Sequence, residues 1–85
     1  MKNIIMYTGP LCAFCDAAKR LFTRNNLSYQ EVDISTKEGL RDEMINKANG
    51  SRTVPQIFFG DHHVGGYREL RELEKKGELK KIIKQ

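Results

Sequence analysis

Tryptophan is missing from this chain of 85 residues, and proline and cysteine occur only twice each. Two cysteines cannot build the dense disulfide framework of a small secreted domain. A structural zinc site takes four ligands. The only histidines, His62 and His63, are adjacent and would both have to turn back on one ion with the cysteines, so no metal is expected. Long apolar runs are absent too. The longest, Ile4 to Tyr7, is far too short to span a bilayer, and Met1-Lys2-Asn3 leads into it without a secretory leader. No membrane association and a cytoplasmic location are the resulting expectations, and structural disulfides are rare in that compartment. Nor is there a basic block. The net charge is +4, and apart from Lys80, Lys81 and Lys84 the basic residues are scattered. Nucleic acid recognition calls for a basic patch interleaved with aromatics, so no nucleic acid partner is expected. What is present, 39% hydrophobic and 31% charged residues, suits a soluble globular chain, read as a single domain over 1–85.

Ile4-Ile5-Met6-Tyr7 reads as a strand buried on both faces. Thr8-Gly9-Pro10 breaks it. A helix follows with Ala17, Ala18, Leu21 and Phe22 on one face and Lys19, Arg20, Thr23 and Arg24 on the other. Asn25-Asn26 stops that helix. Leu27 to Ile34 reads as a second, edge strand that buries Tyr29, Val32 and Ile34. Ser35 with Glu38 three residues on predicts a capping box. The helix behind it turns Leu40, Met44, Ile45 and Ala48 inward and ends at Asn49-Gly50. Gln56 to Phe59, a turn at Gly60-Asp61, and His62 to Val64 read as an antiparallel hairpin closed by Gly65-Gly66. A third helix starts near Tyr67 with Leu70 and Leu73 inward and is capped by Gly77. Glu78 to Lys84 is a last short helix with Leu79, Ile82 and Ile83 facing in. The order is βαβ, then α, then ββα. A right-handed parallel crossover followed by a hairpin beside the first strand predicts an α/β fold: a mixed four-stranded sheet flanked by helices.

The chemistry concentrates in "TGPLCAFCDAAKRLF", Thr8 to Phe22. Cys12 and Cys15, at i and i+3 on a helix's first turn, put their sulfurs on one side within bonding reach. Cys12 lies where free backbone N–H groups converge. Those donors and the helix dipole favour thiolate over thiol. Cys15, one turn in, is expected to be more buried and less ionised. The pair is then unequal: Cys12 attacks a disulfide and Cys15 resolves the mixed disulfide. A Cys-x-x-Cys beside a βαβ pattern in a cytosolic chain is a redox signal. Thr53-Val54-Pro55 precedes an apolar strand, where proline cannot donate to a ladder and can occupy a cis peptide. That geometry would turn the preceding backbone groups toward an extended peptide. Gly65-Gly66 allow close approach of backbone to a ligand, and the helix N-terminus at Tyr67-Arg68-Glu69 can receive a carboxylate.

Together, "YTGPLCAFC", "RDEMINKANGSRTVPQIFFGDHHVGG" and the helix that follows resemble the small dithiol glutaredoxins of bacteria over nearly the whole chain. The resemblance implies a thioredoxin-like fold. It also implies a glutathione-dependent thiol–disulfide oxidoreductase that reduces protein–glutathione mixed disulfides and protein disulfides, with glutathione as co-substrate. The partners implied are glutathione and glutathionylated or disulfide-bonded proteins, and a monomer is expected. Cys12 becomes the nucleophile that takes up the glutathionyl group, and Cys15 the resolving thiol. Val54, before an expected cis Pro55, would pair its backbone with the cysteine part of glutathione. Tyr67 and Arg68 would offer backbone N–H groups to the γ-glutamyl carboxylate, and Glu69 would meet its ammonium. Phe14, Thr53 and Gly66 complete the expected binding surface. The chain departs from the family at Ala13 and Phe14, where proline and tyrosine are usual, and at Gly9, where a lysine often stands. It departs again at Arg68, where the first of the acidic residues is usual. Arg52 is the candidate substitute for the missing lysine. Two rival readings belong to other classes. One is a dimer around a glutathione-ligated [2Fe–2S] cluster, which Ala13 would permit. The other is a thioredoxin-like electron carrier that does not use glutathione.

Overall fold

In the computed structural model, which describes residues 2–84, the chain runs β1 (Ile4–Thr8), α1 (Ala13–Arg24), β2 (Gln30–Asp33), α2 (Leu40–Lys47), β3 (Gln56–Phe59), β4 (His62–Gly65), α3 (Tyr67–Lys75) and α4 (Leu79–Lys84). The strands form one 4-stranded sheet in the order β2-β1-β3-β4. β1 lies parallel to β2 and antiparallel to β3, and β3 is antiparallel to β4. This is the mixed sheet the alternation of apolar runs and helices predicts.

Successive side chains of a strand point to opposite faces, and the two faces of the sheet are filled differently. Ile4, Met6, Ile57 and Phe59 meet Ala18, Leu21 and Phe22 of α1, Leu70 of α3, and Leu79 and Ile83 of α4. On the other face Tyr7 and Phe58 meet Met44 of α2 and Ala48 just beyond it, with Ile5, Val32, Ile34, Ile45 and Val54 partly buried around them. Each fully buried apolar side chain contributes about 1.5–3 kcal/mol, so the α1/α3/α4 face carries most of the apolar stabilisation.

α1 ends in a Schellman motif: Asn26 takes a left-handed conformation (φ 58) and donates its N–H to the Thr23 carbonyl, while the Leu27 N–H reaches the Phe22 carbonyl at 2.9 Å. Asn49 and Gly77 take the same conformation behind α2 and α3, at the stops expected from sequence.

Two expectations are corrected. The second strand covers Gln30–Asp33 rather than Leu27 to Ile34, because the Leu27 N–H is spent on ending α1. The capping box of Ser35 and Glu38 does not form. Asp33 takes Ser35 instead, its Oδ1 accepting from the Ser35 N–H at 2.9 Å and from the Ser35 hydroxyl at 2.6 Å. α2 then starts at Leu40 behind Gly39, which has φ 88 and no side chain to cap with. At the end of β1, buried Thr8 donates its hydroxyl to Glu31 Oε2 at 2.7 Å, and Lys19 of α1 reaches the same carboxylate at 2.9 Å. This ties β1, β2 and α1 together just before the chain enters the cysteine loop. The Lys19 contact, followed by the Thr8 hydroxyl, lowers the Glu31 pKa.

Candidate active site

The chain leaves β1 at Thr8 and enters α1 through Pro10 and Leu11. Leu11 has φ 52, a conformation an L side chain adopts at a cost of roughly 1–2 kcal/mol, and it is fully exposed. Cys12 is the N-cap of α1 rather than part of its first turn, with φ −113 and ψ 99. In this extended conformation its sulfur occupies the place of a capping oxygen, accepting the Cys15 N–H at 3.0 Å. Cys15 is buried at 2% exposure, whereas Cys12 is half-buried. The two cysteines form a disulfide, with Cα atoms 5.2 Å apart. The unequal burial expected from their spacing is present.

The Val54–Pro55 peptide bond is cis, as expected. The Cys12 sulfur lies 3.7 Å from the Val54 carbonyl oxygen, so the loop before β3 abuts the redox pair. Beside them opens a groove of about 410 Å³ lined by Phe14, Thr53, Val54, Pro55, Gly66, Tyr67, Arg68 and Glu69. Of the residues expected to react or to bind glutathione, all but Arg52 are therefore in the groove or at the disulfide. That residue is exposed and stands outside the lining, one position before Thr53. Phe14 is 64% exposed and stacks on Tyr67 with ring centroids 6.0 Å apart. Glu69 has a structural contact at the groove's edge, its Oε1 accepting the Gly66 N–H at 2.7 Å across the start of α3. Gly65 makes room for it: with φ 119, a Cβ there would come within 2.8 Å of Glu69 Oε1.

A larger hollow of about 510 Å³ opens at the opposite ends of β1 and β2, between Lys2 and Ile83, and its lining contains no cysteine. Among the described residues no three histidine, cysteine or acidic side chains gather as a metal site would need. No helix among the described residues is long and apolar enough to cross a membrane.

Sequence reasoning gave Gln56 no role beyond its strand and weighed His63 only as a metal ligand. Gln56 opens β3 and is only 3% exposed. Its Nε2 donates to the Thr53 carbonyl at 2.9 Å and lies 3.2 Å from the Thr53 hydroxyl, while its Oε1 lies 2.7 Å from His63 Nε2. The signal available was a polar residue at the head of an otherwise apolar strand.

The chain matches the family model described as Glutaredoxin over residues 4–64. It is 41% identical over 85 residues to glutaredoxin 1 of Rickettsia conorii, covering 98% of this chain and 82% of that protein. It is 41% identical over 83 residues to a glutaredoxin of Pseudomonas aeruginosa, covering 98% of each. The solution structure of a glutaredoxin from Brucella melitensis superposes with a TM-score of 0.84 at 41% identity, over 98% of this chain and 89% of that one.

Proposed function

The chain belongs to the glutaredoxin family, whose Cys-x-x-Cys pair makes it a thiol–disulfide oxidoreductase, and on that premise we propose that it draws its electrons from glutathione. In this reading it reduces protein–glutathione mixed disulfides and protein disulfides, as a monomeric single domain over 1–85 in the cytoplasm. The observation that carries the reading is the place of Cys12. Its sulfur caps α1, takes the Cys15 N–H at 3.0 Å, and faces the Val54 carbonyl at 3.7 Å beside the groove.

In the reduced protein the same N-terminal donors favour the Cys12 thiolate. That thiolate attacks the glutathione sulfur of a mixed disulfide. A Cys12–glutathione disulfide forms, and the protein thiolate leaves and takes a proton from water. A second glutathione thiolate then attacks the bound glutathione sulfur, releasing glutathione disulfide and regenerating Cys12. With a protein disulfide, Cys12 forms the mixed disulfide and the Cys15 thiol, deprotonated as it attacks, displaces the substrate. This leaves the Cys12–Cys15 bridge, which two glutathiones reduce. The Val54 backbone, set before the cis Pro55, suits the cysteine part of glutathione. The Tyr67 and Arg68 N–H groups at the start of α3 suit its γ-glutamyl carboxylate. Glu69 keeps one carboxylate oxygen for the ammonium after giving the other to Gly66.

The test is turnover of a glutathionylated peptide with glutathione, glutathione reductase and NADPH. Saturable dependence on glutathione is expected. Activity only when a flavoprotein thioredoxin reductase replaces glutathione would overturn the reading in favour of a thioredoxin-like carrier.

A further inference from the structure

Building on the glutathione reading above, we propose that Gln56 and His63 are positioning residues, which fix the Thr53–Val54 backbone against Cys12 through a hydrogen-bonded chain from His63 to Gln56 to Thr53. The chemistry of the atoms sets its direction. A backbone carbonyl only accepts, so the Gln56 atom 2.9 Å from the Thr53 carbonyl is the amide nitrogen. The other amide hydrogen points to the Thr53 hydroxyl, 3.2 Å away. Gln56 Oε1 is thereby turned to His63 Nε2 at 2.7 Å, and this nitrogen must carry a hydrogen to donate.

The placement follows from the sheet. Gln56 and Phe58 lie on the same face of β3, and His63 of β4 is paired with Phe58. A register irregularity in the β3–β4 pairing falls between Ile57 and Phe58. His63 stacks on Phe58 with centroids 4.8 Å apart and an angle of 24° between the rings. The stack fixes the imidazole, the imidazole fixes the Gln56 amide, and the amide fixes the carbonyl and the hydroxyl of Thr53. The next residue, Val54, is the one whose carbonyl meets the Cys12 sulfur at 3.7 Å. A buried amide with all its partners supplied holds one orientation, because leaving any of them unmet costs its desolvation. The chain touches neither cysteine, so it acts on where the substrate backbone docks and not on the ionisation of Cys12.

The experiment compares steady-state kinetics of full-length wild type, Gln56→Leu, His63→Phe and His63→Gln on a glutathionylated peptide. Phenylalanine keeps the stack on Phe58 without a donor, while glutamine restores an N–H near the place of Nε2. Gln56→Leu and His63→Phe are expected to raise KM roughly five- to thirtyfold, the range for one buried hydrogen bond and its orphaned partner, with kcat changed less than about twofold. His63→Gln should recover most of the loss. The rate of Cys12 alkylation should stay at the wild-type value in all three variants, a result general loosening of the fold would not give. Should Gln56→Leu fail to fold, the histidine pair of variants carries the test. An unchanged KM in His63→Phe, or a KM loss that His63→Gln shares in full, overturns the proposal. If wild type ignores the glutathionylated peptide but reduces a plain peptide disulfide, the glutathione reading falls. The KM values of the same variants for that disulfide then decide the positioning role.

Discussion

On one face of the sheet three helices bury a continuous apolar cluster against Ile4, Met6, Ile57 and Phe59. On the other, the two-turn helix α2 buries Met44 against Tyr7 and Phe58, and much of the rest is only partly covered. Polar contacts follow the same division. The α1–α3 side is clasped by Glu74, which accepts from Arg24 Nη2 at 2.7 Å, from Asn25 Nδ2 at 2.6 Å and from Arg71 at 3.0 Å. On the α2 side Tyr7 donates its hydroxyl to Glu43 at 2.6 Å and accepts from Lys47 at 3.2 Å. Burial, followed by the Glu43 contact, raises the Tyr7 pKa. The active-site loop before β3 belongs to the thinner side, whereas Cys12 and Cys15 ride on α1 of the thicker one. The division places the Cys12–Cys15 pair on the more thickly packed half of the molecule, and the Thr53–Val54 backbone, which the proposed function turns toward substrate, on the lighter half. The lighter half therefore needs polar pins to keep its shape.

The comparison is broken most directly by truncating each core. Phe22→Ala should destabilise the protein by about 3–5 kcal/mol and Met44→Ala by about 2–3 kcal/mol, read by urea denaturation. Equal losses would mean that the two faces share the load. A second test uses acid. The Glu74 pKa is lowered from 4.5 to about 2, first by the Arg24 contact. A carboxylate depressed in the folded state stabilises above its unfolded pKa, and that contribution disappears as pH falls from 4.5 towards about 2. Glu74→Gln should cost about 1 kcal/mol at pH 7, the upper end for a solvent-screened cluster. It should also flatten the decline in stability over that acid window. An unchanged slope would remove Glu74 from the clasp.

The smallest effect expected lies on the lighter side. Arg52→Ala should raise KM for glutathione several-fold at low salt with little change in stability. The exposed Arg52 is proposed to pair with the glycyl carboxylate of glutathione, and an exposed ion pair is worth up to about 1 kcal/mol and is screened by salt. Gly9→Lys should recover that loss. The Gly9 backbone does not take a positive φ, and a Cβ there would meet Val54 at 3.4 Å, an ordinary contact. Kinetics of Arg52→Ala identical to wild type at low salt would make Arg52 a bystander.

The elements legible in the sequence were those whose signal is local. The apolar run of β1, the amphipathic face of α1 and the hairpin with its Gly60-Asp61 turn stand almost where their residues place them. The helix stops at Asn25-Asn26, Asn49-Gly50 and Gly77 were legible because a left-handed residue is needed there and few side chains tolerate it. The start of α2 was misread because Ser35 had two possible partners. The Asp33 carboxylate two residues back won over the Glu38 backbone, and nothing in the spacing ranks them. The length of β2 failed for a related reason, since the Leu27 amide could extend a strand or end a helix. Cys12, Cys15 and the Thr53–Pro55 loop were visible because their chemistry depends on residue type. The contacts of Gln56 and His63 were not, since they join two strands at a register irregularity that no local pattern announces.

The central claim is that Cys12 and Cys15 are unequal and that glutathione is the reductant. The measurement that tests it most directly is turnover of a glutathionylated peptide by Cys12→Ser and Cys15→Ser in the presence of glutathione. Cys12→Ser should show no turnover, and Cys15→Ser should keep a large share of the wild-type rate while still failing on protein disulfides. Equal loss in both variants would contradict it.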